Sequence, residues 1–484
     1  MTTTTKQRTY GNWRRGNGAG LFGLGPIGTL SMFGIGLLAV VMLAVSVLYS
    51  LVTVLIGALV LVPMAVRING RTGFQVIAAR VAWWRGHSRR QHLYRSGVAS
   101  RVTGHHQLPG ILARSEVYAV ETGRSGTLGV IVIPQSRHYT VTLRCAPEGR
   151  DLVDQSVIDG RVAHLAGWLD TLAREPGLVQ AAVTVETTPD PGTQLAAEVA
   201  TTTSPHAPDL AKAVLDEVVR TYPAGAAVVE TRVSLTYTVP PGRRNMSHED
   251  VCREVASRLP GLHTGLSAAG AGGVQPMSPQ SLAAVVRAAY DPAVALELAR
   301  DPGAAPPWDA AGPVAAKESW DFYRHDSGVS RTWGMAEAPR GVTFSNTFSR
   351  LTDPDPQLKR KRVTLFYRPY TPAEAVRLVE NDKRDARFQA GKKPRPSARD
   401  LADLEAAEQA AQEEASGAGM VRFTLLVTAT VDTVAELEQA DRLIASRASE
   451  ARMVLRPMYG AQAAAFSAGL PAGVVLPTHA TIPF

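Results

Sequence analysis

At 484 residues and 45% hydrophobic, the chain is long enough for two or three ordinary domains with proper cores. Its two cysteines, Cys145 and Cys252, are far apart and lack metal-ligand spacing, which excludes a disulfide scaffold and a cysteine-based zinc site and suits a reducing compartment. The net charge of +8 is unevenly placed: thirteen Lys and Arg and no acid precede residue 116, so that stretch is +13 and the remainder −5, and the high pI belongs to the N-terminal segment.

Residues 1–26 are polar and glycine-rich, with Tyr10 and Trp13 beside Arg14 and Arg15, the composition of an interfacial anchor at a cytoplasmic N-terminus. From Ile27 to Val66, forty residues contain no Asp, Glu, Lys, Arg or His. As helix they extend roughly 60 Å, about twice the hydrocarbon thickness of a bilayer. Two crossings use that length, with the turn near Ser46–Ser50. Lys6, Arg8, Arg14 and Arg15 precede the run, and Arg67, Arg71, Arg80, Arg85, Arg89, Arg90 and Arg95 follow it. Because positive flanks stay inside, both ends face the cytoplasm, and the expected location is the plasma (inner) membrane, multi-pass. A cleaved signal peptide needs a shorter apolar run and a small-residue cleavage site. Arg67, Arg71, Trp83 and Trp84 complete the expected membrane-interface set, with lipid as partner. The basic juxtamembrane segment, 67–104, has helical potential over 72–97, with Phe74, Ile77, Val81 and Trp84 spaced by threes and fours. Two readings stay open there: a helix on the inner leaflet, or one packed on a neighbouring subunit.

The remainder reads as α/β (α+β) cytoplasmic domains following the N-terminal two-helix transmembrane hairpin. Region 105–245 holds strands at 112–122, 127–133, 139–145, 179–187 and 226–239, helices at 152–174 and 209–222, and a surface loop at 189–208. Region 246–313 is a helical segment opened by the capping sequence Ser247-His248-Glu249-Asp250, with Ser278-Pro279 as a second helix start, and ends in a Pro/Ala/Gly linker at 301–313. Region 314–484 contains strands at 317–325, 330–336, 341–348, 362–370 and 421–431. Its helices open at Thr371-Pro372-Ala373-Glu374, cover 397–416, and open again at Thr433-Val434-Ala435-Glu436. The strand–helix–strand–helix order over 362–455 suggests half of a ferredoxin-like sandwich. No internal repeat is evident.

Chemistry-bearing motifs are sparse. Gly18-Ala19-Gly20-Leu21-Phe22-Gly23 matches a dinucleotide fingerprint in letters, but it leads into the apolar run rather than from a strand into a phosphate-binding helix. Gly391-Lys392-Lys393 lacks the upstream glycine and following hydroxyl of a P-loop, and neither H-E-x-x-H nor G-x-S-x-G occurs. His105-His106 has no third ligand in view. No catalytic, cofactor or metal residue is therefore assigned. Two clusters keep an alternative open, a stand-alone membrane-tethered enzyme or nucleic-acid-binding module: Asp321 with His325, and the run Lys359, Arg360, Lys361 and Arg362 as phosphate contacts, with Lys392, Lys393 and Arg395 nearby.

Tyr10-Gly11-Asn12-Trp13-Arg14-Arg15 followed by two spans resembles a family of actinobacterial integral membrane proteins from conjugative-element and secretion gene clusters. The likeness continues through Val183-Thr184-Val185-Glu186-Thr187, Arg362-Val363-Thr364-Leu365-Phe366-Tyr367-Arg368-Pro369 and Arg456-Pro457-Met458-Tyr459-Gly460-Ala461-Gln462. Region 105–245 is similar to the EccE component of type VII secretion. The second half is similar to the N-terminal domain of type IV secretion ATPases, with the chain stopping after Leu470-Pro471, where a motor would begin. The resemblance implies a non-enzymatic scaffold without cofactor, within a hetero-oligomer, that docks a separate secretion-type ATPase and other translocon subunits. It supplies no catalytic residues and does not choose between DNA and protein as the exported substrate.

Overall fold

The computed structural model describes residues 25–68, 70–100, 107–122, 126–149, 153–189, 193–221, 227–239, 242, 246–339, 343–358, 360–391, 397–415 and 419–480. Tyr10, Trp13, Arg14, Arg15, His105, His106, Lys359, Lys392, Lys393 and Arg395 lie outside those residues, as does the side chain of Arg67.

The apolar run forms helices α1 (Gly25–Val45) and α2 (Val47–Ala65), each long and apolar enough to cross a membrane. They reverse on one residue. Ser46 is extended (φ −168°, ψ 141°), and its hydroxyl accepts the Leu48 amide of the new helix. The helices pack antiparallel where Gly57 meets Ile35; a methyl group on Gly57 would lie 2.3 Å from the Ile35 side chain. A short ribbon, β1 (Arg67–Ile68) and β2 (Arg71–Thr72), leads into α3 (Gly73–Ser88). A Thr72/Gln75 capping box starts that helix. After α3, strand β3 (Leu93–Arg95) joins the edge of the main sheet.

The body is mixed helix and antiparallel sheet, and it is a duplication. The first unit runs β4 (Glu116–Glu121), β5 (Thr127–Ile133), β6 (His138–Ala146), α4 (Gln155–Arg174), β7 (Leu178–Pro189), α5 (Thr193–Thr202), α6 (Asp209–Thr221), β8 (Ala227–Thr238), α7 (His248–Leu266), β9 (Gly273–Pro276) and α8 (Pro279–Tyr290). A short α9 (Ala295–Arg300) follows. The second unit runs β10 (Ala315–Glu318), β11 (Tyr323–His325), β12 (Gly328–Glu337), α10 (Ser349–Thr352), β13 (Arg360–Pro369), α11 (Pro372–Gly391), α12 (Ala398–Ala415), β14 (Val421–Val431), α13 (Leu437–Glu450), β15 (Val454–Pro457) and α14 (Gln462–Ala468). The sheet order is β3-β10-β11-β12-β14-β13-β7-β8-β6-β5-β4, with β9 on β6 and β15 on β12. Outward from the centre each half reads in the same sequence, and the halves meet where β7 and β13 pair antiparallel.

Register makes the equivalence residue-specific. Thr184 pairs with its own counterpart Thr364 at the pseudo-twofold axis, their hydroxyl oxygens 3.2 Å apart. The Thr142–Ser234 and Thr140–Thr236 hydroxyl pairs of the first half (2.9 and 3.1 Å) recur as Thr332–Thr428 and Ser330–Thr430 in the second (2.9 and 2.7 Å). After Pro276 and Pro457, the amides of Met277 and Met458 donate to the carbonyls of Thr142 and Thr332. The expected boundaries are therefore corrected. Regions 105–245 and 314–484 are halves of one sheet, and 246–300 completes the first half. The proposed loop at 189–208 contains α5, closed by Thr201 and Thr202 hydroxyls that donate to the Glu198 carbonyl. The strand expected at 317–325 breaks into β10 and β11, and Thr343–Phe348 forms a bridge residue and turns.

One sheet face packs under α4, α7 and α13 with Val141, Leu235, Val363 and Val427. The other carries the hydroxyl pairs, and α8, α14 and residues 469–475 cover it. That segment satisfies the hydroxyls with its backbone: Thr142 donates to Pro471 O, Thr364 to Gly469 O and Thr236 to Gly473 O, while the Gln180 amide donates to Val474 O. Gly473 has φ +66°, and a Cβ there would lie 1.8 Å from Thr140 Oγ1. Gly473→Ala is accordingly expected to destabilise the body by about 1–3 kcal/mol, from overpacking and backbone strain together. Urea unfolding of the detergent-solubilised chain checks this, and an unchanged midpoint would mean that the segment does not seat as described.

Candidate functional site

The surface that joins the apolar hairpin to the body is built on α3. Gly73 lets this helix start against the end of α2, since a Cβ would sit 2.8 Å from the Pro63 carbonyl, and the Gly73 amide donates to Val66 O. At 100° per residue, Phe74, Ile77, Val81 and Trp84 fall on one side of α3, and all four are exposed, Trp84 by 71%. Gln75, Ala79, Ala82, Trp83 and Gly86 fall on the opposite side and line a cavity of about 330 Å³ against the body. An aromatic stack anchors that side. Trp83 meets Trp320 edge-on at 5.8 Å, Arg80 lies 4.3 Å over the Trp320 ring, and Trp320 stacks on Tyr459 at 5.9 Å. Beyond α3, β3 extends the sheet from β10, and the Ser96 amide donates to Val314 O. The two expected interface tryptophans therefore part: Trp84 is bare, whereas Trp83 is turned onto the chain's own body. Arg71 is half-buried in the same cavity wall.

The Asp321/His325 cluster is structural, and in the basic run Lys361 and Arg362 are engaged inside the body. His325 is fully buried on β11. Its Nδ1 lies 2.6 Å from the Tyr290 carbonyl and so carries the proton, which leaves Nε2 to accept from the Ser330 hydroxyl at 2.8 Å. Burial lowers its pKa to about 4, so it is a neutral core imidazole. Asp321 instead pairs with Arg331 at 2.5 Å. With both ring nitrogens of His325 engaged, the two residues form no acid–base pair.

Within the basic run, Lys361 and Arg362 are buried. Lys361 is 1% exposed and donates to Asp353 O at 2.6 Å, and burial lowers its ammonium to about 8. Arg362 is equally enclosed, 2.8 Å from Glu186. Glu186 also receives Arg232 at 2.6 Å, and Arg232 reaches Glu230. Burial opposes ionisation of Glu186, but Arg362 and Arg232 outweigh it and hold the carboxyl far below the usual carboxylate range. Arg360 is half-buried and donates to Ala288 O at 3.2 Å. Alternation along β7, β8 and β13 puts Glu186, Arg232 and Arg362 on one face; only the partner register shows that the opposite charges meet.

A family model described as a domain of unknown function (DUF8461) matches residues 17–75, the stretch holding both apolar helices and the start of α3. No curated protein matches the chain.

Two outcomes follow from the buried charges. Glu186→Gln leaves two buried guanidinium groups without their shared carboxylate and should cost about 3–5 kcal/mol in urea unfolding; a loss below 1 kcal/mol would show the network to be solvated. His138 is also held down at about 4, chiefly by burial. Folded-state depression of an imidazole means that stability is complete above about pH 6.5 and declines as pH falls toward 4, because only the unfolded chain takes up the protons. Unfolding midpoints between pH 7 and pH 4 should show this decline, and His138→Gln with His325→Gln should flatten it.

Proposed function

We propose that this chain is a non-enzymatic, membrane-anchored structural subunit of a secretion- or conjugation-type translocation machine, one that docks a separate motor ATPase. The observation that carries this reading is the stiff connection between the apolar hairpin and a large sheet body. A capping box, the close contact at Gly73, an aromatic stack and an added edge strand leave α3 little freedom to swing. A catalytic domain on a tether needs no such stiffness, whereas a scaffold that holds a motor against a membrane channel does.

In this reading α1 and α2 cross the bilayer and return, and the arginine-rich flanks keep both ends in the cytoplasm. The bare side of α3, with Phe74, Ile77, Val81 and Trp84, rests on the inner leaflet, with Arg85, Arg89 and Arg90 meeting anionic headgroups. The partner-facing surfaces are the helical pairs α5–α6 and α11–α12, which follow β7 and β13 at opposite ends of the sheet. On α6, Leu210, Val214 and Val218 recur every four residues and are all exposed; Phe388 on α11 and Leu401 on α12 are exposed as well.

Single-tryptophan variants reconstituted with brominated phospholipid test the anchoring. Fluorescence from Trp84 should be strongly quenched and that from Trp83 much less so; equal quenching would remove the docked orientation of α3. Crosslinked purification from native membranes tests the role. An ATPase and further membrane subunits should co-purify, and Leu210→Glu with Val214→Glu should release a partner without unfolding the body. A monomeric, unassociated chain would overturn the proposal.

A further inference from the structure

A cavity of about 440 Å³ lies between the hydroxyl-bearing sheet face and helices α8 and α9, close to the pseudo-twofold axis. Its floor is Arg144 on β6, Arg232 and Glu230 on β8, Glu186 on β7 and Arg360 on β13. Its roof is aliphatic, with Val285 and Ala288 of α8 and Leu296 and Ala299 of α9. We propose that this cavity binds a small phosphate ester, its phosphate held by Arg144, Arg232 and Arg360 and its organic part lying under the aliphatic roof.

The charge pattern supports an anion. Arg144 stands directly across the strand pair from Arg232, an arrangement of like charges that destabilises a sheet unless something between them is negative. Glu186 and Glu230 are consumed by Arg232 and Arg362. Among the described residues no carboxylate lies within ion-pair distance of Arg144 or Arg360; Glu186 and Asp432 act on Arg360 only at longer range, and Arg144 and Arg360 both face the space. Arg232 is 2% exposed, and its Nε has no hydrogen-bond partner. Burial also lowers the pKa of Arg360, a cost that a bound anion would offset. A phosphate monoester carries a charge of about −1.5 to −2 at neutral pH and presents oxygens that suit guanidinium forks.

The duplication provides an internal control. Carried across the pseudo-twofold by register, Arg144, Glu186, Arg232 and Arg362 correspond to Gly334, Phe366, Leu426 and Ala182. Phe366, Leu426 and Ala182 belong to one apolar cluster, and Met458 fills the space above Gly334. The same scaffold therefore closes without charge in the second half. The charges and the open space thus lie on one side of the pseudo-twofold only, built from β6, β7 and β8 of the first unit and Arg360 on β13 of the second.

Isothermal titration of the detergent-solubilised full chain with glycerol 3-phosphate, AMP and glycerol tests the site. Saturable binding is expected for at least one of the two phosphate esters and none for glycerol. Arg144→Gln and Arg360→Gln should each weaken it about tenfold, the loss of one charge-assisted contact. Arg144 is exposed, so its variant retains the fold and decides the matter even if Arg360→Gln is unstable. Absence of saturable heat with both esters, or unchanged affinity in Arg144→Gln, would overturn the proposal.

Discussion

The antiparallel pairing of β7 with β13 is the constraint on which the rest of the body depends. It brings two similar half-sheets edge to edge and, in doing so, takes both faces of their central strands away from water. One face was apolar in any case. The other is lined by Thr140, Thr142, Thr184, Thr236, Thr332, Thr364, Thr428 and Thr430, with Ser234 and Ser330, and all of these are buried. A buried hydroxyl without a partner costs on the order of 1–3 kcal/mol, so the face must satisfy itself. It does so by pairing hydroxyls across strands in both halves and by donating to a backbone segment that has no side chain to interfere at Gly473. The C-terminal residues are thus a structural part of the sheet's centre.

The same pairing creates the buried charge array. Glu186 and Arg362 face each other across the central strands, and Arg232 completes a triad in a setting where a lone charge would be intolerable. In the second half the equivalent positions are apolar and packed. Duplication has thus produced two equivalent sites flanking the axis, one closed as a hydrophobic core and one that retains a polar, partly open interior. This asymmetry is the strongest indication in the body of a role beyond folding.

Between the membrane-compatible hairpin and the body, α3 solves a different problem. It is apolar on two opposite sides, so it has no single hydrophobic direction. One side is spent on Trp320 and Tyr459, the other is left bare beside α2. This arrangement explains why sequence periodicity alone left two readings open for the helix. The packed side meets the chain's own body rather than another subunit, and the other side is exposed.

What the chain determines locally was legible from its residues. Forty uncharged apolar residues with a serine near the middle specify two antiparallel helices, because a helix of that length has no other compact arrangement and Ser46 can cap the second. Most strands and helix starts were legible for the same reason: β-branched alternation and capping residues act within a few positions. What was not legible depends on pairing between distant segments. Alternating Val and Thr ordinarily marks a strand with one wet face, and nothing in β7 or β13 announces that a similar strand lies beside it. The duplication left few shared residues, chiefly Val-Thr at 183–184 and 363–364 and Pro-Met at 276–277 and 457–458, and a longer helical pair in the second half breaks the spacing. The basic run at 359–362 read as a set of phosphate contacts, and the enclosure of Lys361 and Arg362 was not legible, because a strand's own sequence does not reveal its neighbours. Local propensity belongs to the residues; whether a charge or a hydroxyl ends in water, in an ion pair or at a cavity wall is decided by which strands the tertiary fold places around it.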